Sequence, residues 1–155
     1  MTLKKELQME SDFNSLAQEL ILSISKTQSL LDSMFNKVFI EHKLTPSQFN
    51  ILRILKGNKS KEGMTCSDIG ARMIWKDSDL TRLLDKLVKK KYVKRKRTPE
   101  DRRKIFILLT DEGRQCVATV SPLLNKIEKG ALSHMSDEKC KKMIKLLEET
   151  RKPHI

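Results

Sequence analysis

Residues 80–109 read LTRLLDKLVKKKYVKRKRTPEDRRKIFILL, and their pattern decides the fold. In the first third, Leu80, Leu83, Leu84, Leu87 and Val88 recur at helical spacing and form one apolar stripe. Stepping about 100° per residue puts Ser78, Arg82, Asp85, Lys86 and Lys89 roughly opposite that stripe, with Thr81 on its flank. The period then changes. Residues 92–97 and 104–109 favour β structure, and between them Thr98-Pro99-Glu100-Asp101-Arg102-Arg103 has the proline and acids of a turn. A helix followed at once by a hairpin with a basic tip is expected.

Charge concentrates in the same place. Residues 82–104 carry twelve Lys and Arg against Asp85, Glu100 and Asp101, a net +9 out of +12 for all 155 residues. A solvated surface mixes its signs, whereas a footprint for a polyanion gathers one sign. The bland alternative is a basic face with no specific partner. Ribosomal RNA, duplex DNA and an anionic membrane would all attract such a charge, and the helix beside a hairpin favours DNA.

Working outward, residues 10–41 place Phe13, Leu16, Leu20, Ile24, Leu31, Phe35 and Val38 mostly at three- and four-residue steps without a proline, which predicts one long helix. Thr45-Pro46-Ser47-Gln48 has a capping hydroxyl, a first-turn proline and a glutamine that can reach back, so a second helix begins there. Thr65 and Asp68 repeat that logic for a short third helix ending near Met73. Asp77 or Ser78 is the expected cap of the fourth helix, the amphipathic one. After the hairpin, Thr110-Asp111-Glu112-Gly113 opens a helix carrying Val117, Val120, Leu124, Ile127 and Ala131, which Pro122 should bend. A last helix follows Ser136.

The chemistry of a catalyst is missing from these spacings. His42, His134 and His154 are scattered, and no Ser-His-Asp or Cys-His arrangement accompanies them, so an enzyme is not expected. Cys66, Cys116 and Cys140 are widely spaced with no CxxC, which argues for reduced, structurally packed thiols and against a disulfide framework or a zinc site. No cofactor or metal is expected. The N-terminus has no apolar run of secretory type and the longest apolar stretch is residues 105–109, so a cytoplasmic protein without a membrane partner is anticipated.

On duplex DNA, an arginine on the solvent face of a helix can donate two hydrogen bonds to guanine, and Arg82 suits that role. Ser78 and Thr81 are short enough to meet bases or phosphates, though capping or plain helix surface is their bland reading. Lys86 and Lys89 suit phosphates. A hairpin beside the helix would bring Arg102 or Arg103 to the adjacent minor groove, the bland reading of Arg103 being a surface ion pair with Asp101 or Glu100. Ser67, Lys76, Lys96 and Arg97 are further candidates for the DNA-binding set. Asp79 can accept from cytosine or pair with Arg82 three residues on, and the pairing is favoured. Trp75 is a weak candidate for a ligand cleft, with core packing the preferred reading.

The run from Thr65 to Gly113, with Thr81-Arg82-Leu83-Leu84-Asp85-Lys86-Leu87, Asp101-Arg102-Arg103 and Leu109-Thr110-Asp111-Glu112-Gly113, resembles the MarR (multiple antibiotic resistance regulator) family. The resemblance implies a dimeric transcriptional regulator whose hairpin is a wing. It assigns Arg103 to the minor groove, Asp101 to orienting it and Arg102 to a phosphate. It further implies dimerisation through the N- and C-terminal helices and a groove for aromatic anions near Trp75. There are two departures from the family pattern: Lys91 stands where a glycine-like break is usual, and Asp77 and Asp79 put acids at the start of the recognition helix.

The expectation is therefore a mainly α chain with a small β-hairpin. Residues 1–155 should form a single domain, with a winged helix-turn-helix at 44–110 flanked by dimerisation helices at 10–41 and 111–150. The expected function is sequence-specific binding of double-stranded DNA by a homodimeric repressor, released by a small organic anion. The alternative is a nonspecific nucleic-acid scaffold.

Overall fold

Hydroxyl side chains set the helix starts. In the computed structural model, which describes residues 2–75, 79–97 and 104–154, Ser15, Thr45, Thr65, Thr110 and Ser136 each accept a hydrogen bond from the backbone N–H three residues on. The elements run α1 (Leu3–Glu6), α2 (Leu16–Glu41), α3 (Pro46–Gly57), β1 (Met64–Thr65), α4 (Cys66–Arg72), α5 (Leu80–Lys89), β2 (Val93–Arg97), β3 (Ile105–Leu109), α6 (Asp111–Ala131) and α7 (Asp137–Arg151). At α3 and α4 the reciprocal bond is also present, from the backbone N–H of Thr45 to Gln48 and of Thr65 to Asp68. Each such cap contributes about 1 kcal/mol. The bonds from Thr65 hold the Asp68 carboxyl below the usual carboxylate range.

Four expectations need correction. The long helix begins at Leu16, because Ser15 caps it there, which leaves Phe13 outside and a separate short helix before it. The N-cap of α5 is Asp79, with φ −118° and ψ 39° and no side-chain cap bond, whereas a capping side chain needs the extended backbone seen at Thr45 and Thr65. Asp77 and Ser78, the expected caps, lie outside the described residues. The hairpin is part of a three-stranded antiparallel sheet in the order β1-β3-β2, with Met64 opposite Ile107. A two-residue strand is too short to show alternation, so β1 left no periodic signal. The strands of the hairpin itself begin at Val93 and Ile105, one residue later than expected.

The core lies where α3, α4, α5, α6 and the sheet converge, with Ile51, Leu52, Ile69, Leu84, Leu87 and Val120 at most 1% exposed. The expected stripe of α5 thus turns inward, and that of α6 supplies Val117, Val120 and Leu124 as the helix runs unbroken past Pro122. The remaining helices contribute little. Of α2 only Val38 and Phe39 are buried, and α7 buries no residue. Among the described residues, no helix is long and apolar enough to cross a membrane.

The turn from α5 into the sheet places the interface. The N–H of Tyr92 donates to the carbonyl of Leu87 and that of Lys91 to the carbonyl of Val88, which closes the helix in a Schellman turn. That turn requires a left-handed residue, and Lys91 fills the position with φ 60°. Its occurrence where the family pattern has a glycine-like break is explained: the backbone keeps the geometry and the lysine bears its cost.

Candidate nucleic-acid interface

With its apolar stripe buried, α5 leaves Thr81, Arg82, Asp85, Lys86 and Lys89 exposed along the opposite face, the arrangement expected from the helical period. The Arg82 guanidinium stands 3.6 Å from the Asp79 carboxylate, so the expected pairing within the helix is present. At 72% side-chain exposure, Arg82 remains open to a partner. Ser67 is exposed on α4, which packs against α5.

The ribbon adds its own charges. Strand alternation puts Val93, Arg95 and Arg97 on one side and Lys94 and Lys96 on the other. Val93 is buried, so Arg95 and Arg97 share the side facing the helices, whereas Lys96 stands beside Phe106 on the opposite side. The candidates Lys96 and Arg97 are therefore exposed on opposite faces of β2. Lys76, Ser78, Asp101, Arg102 and Arg103 lie outside the described residues.

Two anchors escaped the reading of the sequence. Arg95 Nη2 is 2.8 Å from Asp85 Oδ1, which ties β2 to α5; counting alternation from Val93 would have put Arg95 on the helix side. The Asn50 side chain accepts a hydrogen bond from the Ile74 N–H at 3.1 Å, which fixes the approach to α5 from α3. No local pattern announces a contact across 24 residues.

Trp75 does not pack in the core. It is 41% exposed and borders a hollow of about 460 Å³ with Asp32, Ser33, Asn36, Pro46 and Ser47. Helix α4 ends at Arg72, and Met73, half-buried, packs against the core instead. The described lining of this hollow holds one carboxylate and no cation. The three cysteines are free and half-buried. Burial pushes the Cys116 thiol up despite the hydrogen bond with Tyr92 and the nearby Lys90 charge, which disfavours the thiolate that an oxidant would attack. Among the described residues no group of three or more His, Cys, Asp and Glu could hold a metal ion.

A short helix, a connecting segment, an amphipathic helix with a basic open face and an antiparallel ribbon joined directly to it define a winged helix-turn-helix protein that binds DNA. Residues 33–120 match the family of SarA/Rot transcriptional regulators. The regulator PecS of Dickeya dadantii is 31% identical over 116 residues, which cover 75% of this chain and 70% of PecS. The chain belongs to this family of MarR-type transcriptional regulators, and it is a DNA-binding regulator, not an enzyme. Solved structures share its fold. An S. aureus MepR–DNA complex has a TM-score of 0.75 at 22% identity, covering 92% of this chain and 99% of MepR. CouR from Rhodococcus jostii RHA1 bound to p-coumaroyl-CoA has a TM-score of 0.75 at 20% identity, with the same coverage of 92% and 99%.

Proposed function

We propose that this regulator is a repressor that binds a pseudo-palindromic operator as a homodimer. Residues 44–110 serve as the DNA-binding region, and residues 10–41 with 111–150 serve as the dimerisation region of one domain spanning 1–155. The α5 helices of the two protomers enter successive major grooves about 10 base pairs apart, with the wings at flanking minor grooves. Arg82 reads a base edge, Thr81 and Ser67 position the helix, and Lys86, Lys89, Lys96 and Arg97 contact phosphates. Ser78 meets a base or phosphate, Lys76 belongs to the same DNA-binding set, and Asp101, Arg102 and Arg103 keep the roles that the family resemblance implies. The observation that carries the DNA reading is the open face of α5, which gathers Arg82, Lys86 and Lys89 opposite a stripe that packs on the core through the buried Leu84 and Leu87.

The dimer is supported by apolar surface that one chain leaves uncovered. Leu16, Leu20 and Ile21 of α2 are 85%, 54% and 63% exposed, and Met143, Ile144 and Leu146 of α7 are each about half exposed. Soluble chains rarely leave such a surface without a partner. Release by a small organic effector is supported by the hollow beside Trp75 and by the ligand held in CouR. An organic anion would find hydrogen-bond donors and an indole face there, with Asp32 opposing its charge among the described lining residues.

Selection from a random duplex library at near-physiological salt tests the reading. Enrichment of a palindrome with half-sites about one helical turn apart is expected. Bound and input pools that look alike, with high salt-sensitive affinity, would instead mean a general nucleic-acid binder.

A further inference from the structure

The pair between Asp85 and Arg95 sits where the wing leaves the body of the protein. On β2, Val93 is buried and residues 94–97 are all exposed; on β3, Ile107 is buried, whereas Ile105 is 39% exposed. Arg95 is directly opposite Ile107, so the ribbon parts from the core at this pair. Beyond it β1 still pairs with β3 at Thr65 and Phe106, but no side chain of the described ribbon is buried to hold β2 against α5. The Asp85–Arg95 contact, at 2.8 Å, joins the open face of α5 to the helix-facing side of the ribbon at that point.

We infer that Asp85 is a positioning residue: through Arg95 it sets the tilt of the wing relative to the recognition helix, and so confers operator selectivity at the expense of general DNA affinity. The charge is the first reason. An acid on a surface that meets a polyanion opposes binding to any sequence, and Asp85 stands on that surface among Arg82, Lys86 and Lys89. Leverage is the second. Arg97 is two residues beyond Arg95, roughly 7 Å along the strand, so a change of about 10° in tilt displaces it by about 1 Å. A displacement of that size breaks hydrogen-bond geometry to a base or phosphate. Both side chains are partly exposed, at 49% and 38%, so the pair contributes little to overall stability and its effect is confined to orientation.

This inference rests on the proposed operator binding, and the experiment separates the two. Affinities of the full chain, Asp85→Asn and Asp85→Glu are measured by fluorescence anisotropy at fixed salt. The probes are the duplex selected from the random library and a scrambled duplex of equal length. Asp85→Asn removes a negative charge and should bind the scrambled duplex about twofold more tightly. It should bind the selected duplex about fivefold more weakly, so that selectivity falls about tenfold. Asp85→Glu, which keeps the carboxylate, should restore most of the selectivity, and the thermal midpoint of both variants should stay near that of the unaltered protein. Tighter binding of Asp85→Asn to both duplexes by one common factor would overturn the inference and leave operator binding intact. Equal loss in Asn and Glu variants would overturn it as well. An unaltered chain that does not discriminate between the duplexes would remove operator recognition, and this inference with it.

Discussion

The carbonyl oxygen of Tyr92 lies 2.2 Å from the position a β-carbon on Gly113 would occupy, with Leu109 Cδ1 at 2.7 Å. The first turn of α6 is thus pressed against the chain just before β2, where the Thr110 N–H donates to the Tyr92 carbonyl at 3.1 Å and the Thr110 hydroxyl bonds the Lys91 carbonyl. Gly113→Ala should push α6 away from the sheet and destabilise the protein by about 2 kcal/mol, typical of overpacking against backbone. Denaturant unfolding at equilibrium measures this; a loss under about 0.5 kcal/mol would mean that the two elements separate freely.

Lys91 holds its left-handed turn at φ 60° without the freedom of a glycine. Lys91→Gly should stabilise the chain by about 0.5–1 kcal/mol, since the β-carbon penalty of that conformation exceeds the added entropy of the unfolded glycine. A rise of about 2–3 °C in the thermal midpoint is the expected reading.

Arg82 and Lys96 should fail differently. Arg82→Ala should cost operator binding about 1–3 kcal/mol and relax preference at one base position, as loss of a base contact does. Lys96→Ala should weaken all duplexes alike and lower the salt slope by about 1. Titrations at several salt concentrations distinguish them, and an unchanged slope for Lys96→Ala would remove it from the phosphate contacts.

Ile144 is 55% exposed on a helix without a buried residue, so a charge there should leave the folded chain intact. If α7 lies in the dimer contact, Ile144→Glu should weaken self-association by about 3 kcal/mol, a factor on the order of 100, through an unpaired buried charge. Sedimentation velocity should then show a monomer with unaltered helical content, and an undiminished dimer would place the contact elsewhere.

Much of the fold is legible because its causes are local. The period of Leu80, Leu83, Leu84, Leu87 and Val88 dictates which side of α5 is buried, and hence that Arg82, Lys86 and Lys89 are exposed. Caps such as Thr45 with Gln48 act within one turn, so four residues suffice to find them. The pairing of Asp79 with Arg82 is legible for the same reason.

Where local signals compete, or are absent, the pattern misleads. Phe13 continues the helical period, but the Ser15 cap ends the helix before reaching it. Trp75 carries the strongest apolar signal near α5, yet it is the half-buried Met73 that packs against the core beside it.

The sequence by itself determined the helix periods, most of the caps, the basic segment and the change from helix to ribbon, since each depends on neighbours within a few residues. Only the tertiary structure decided that β1 joins the sheet opposite Ile107, that Gly113 is required by the Tyr92 carbonyl and that Arg95 meets Asp85. Those relationships exist only after the helices have packed, because they depend on distances between segments, and a period or a cap specifies an element without specifying what it will touch.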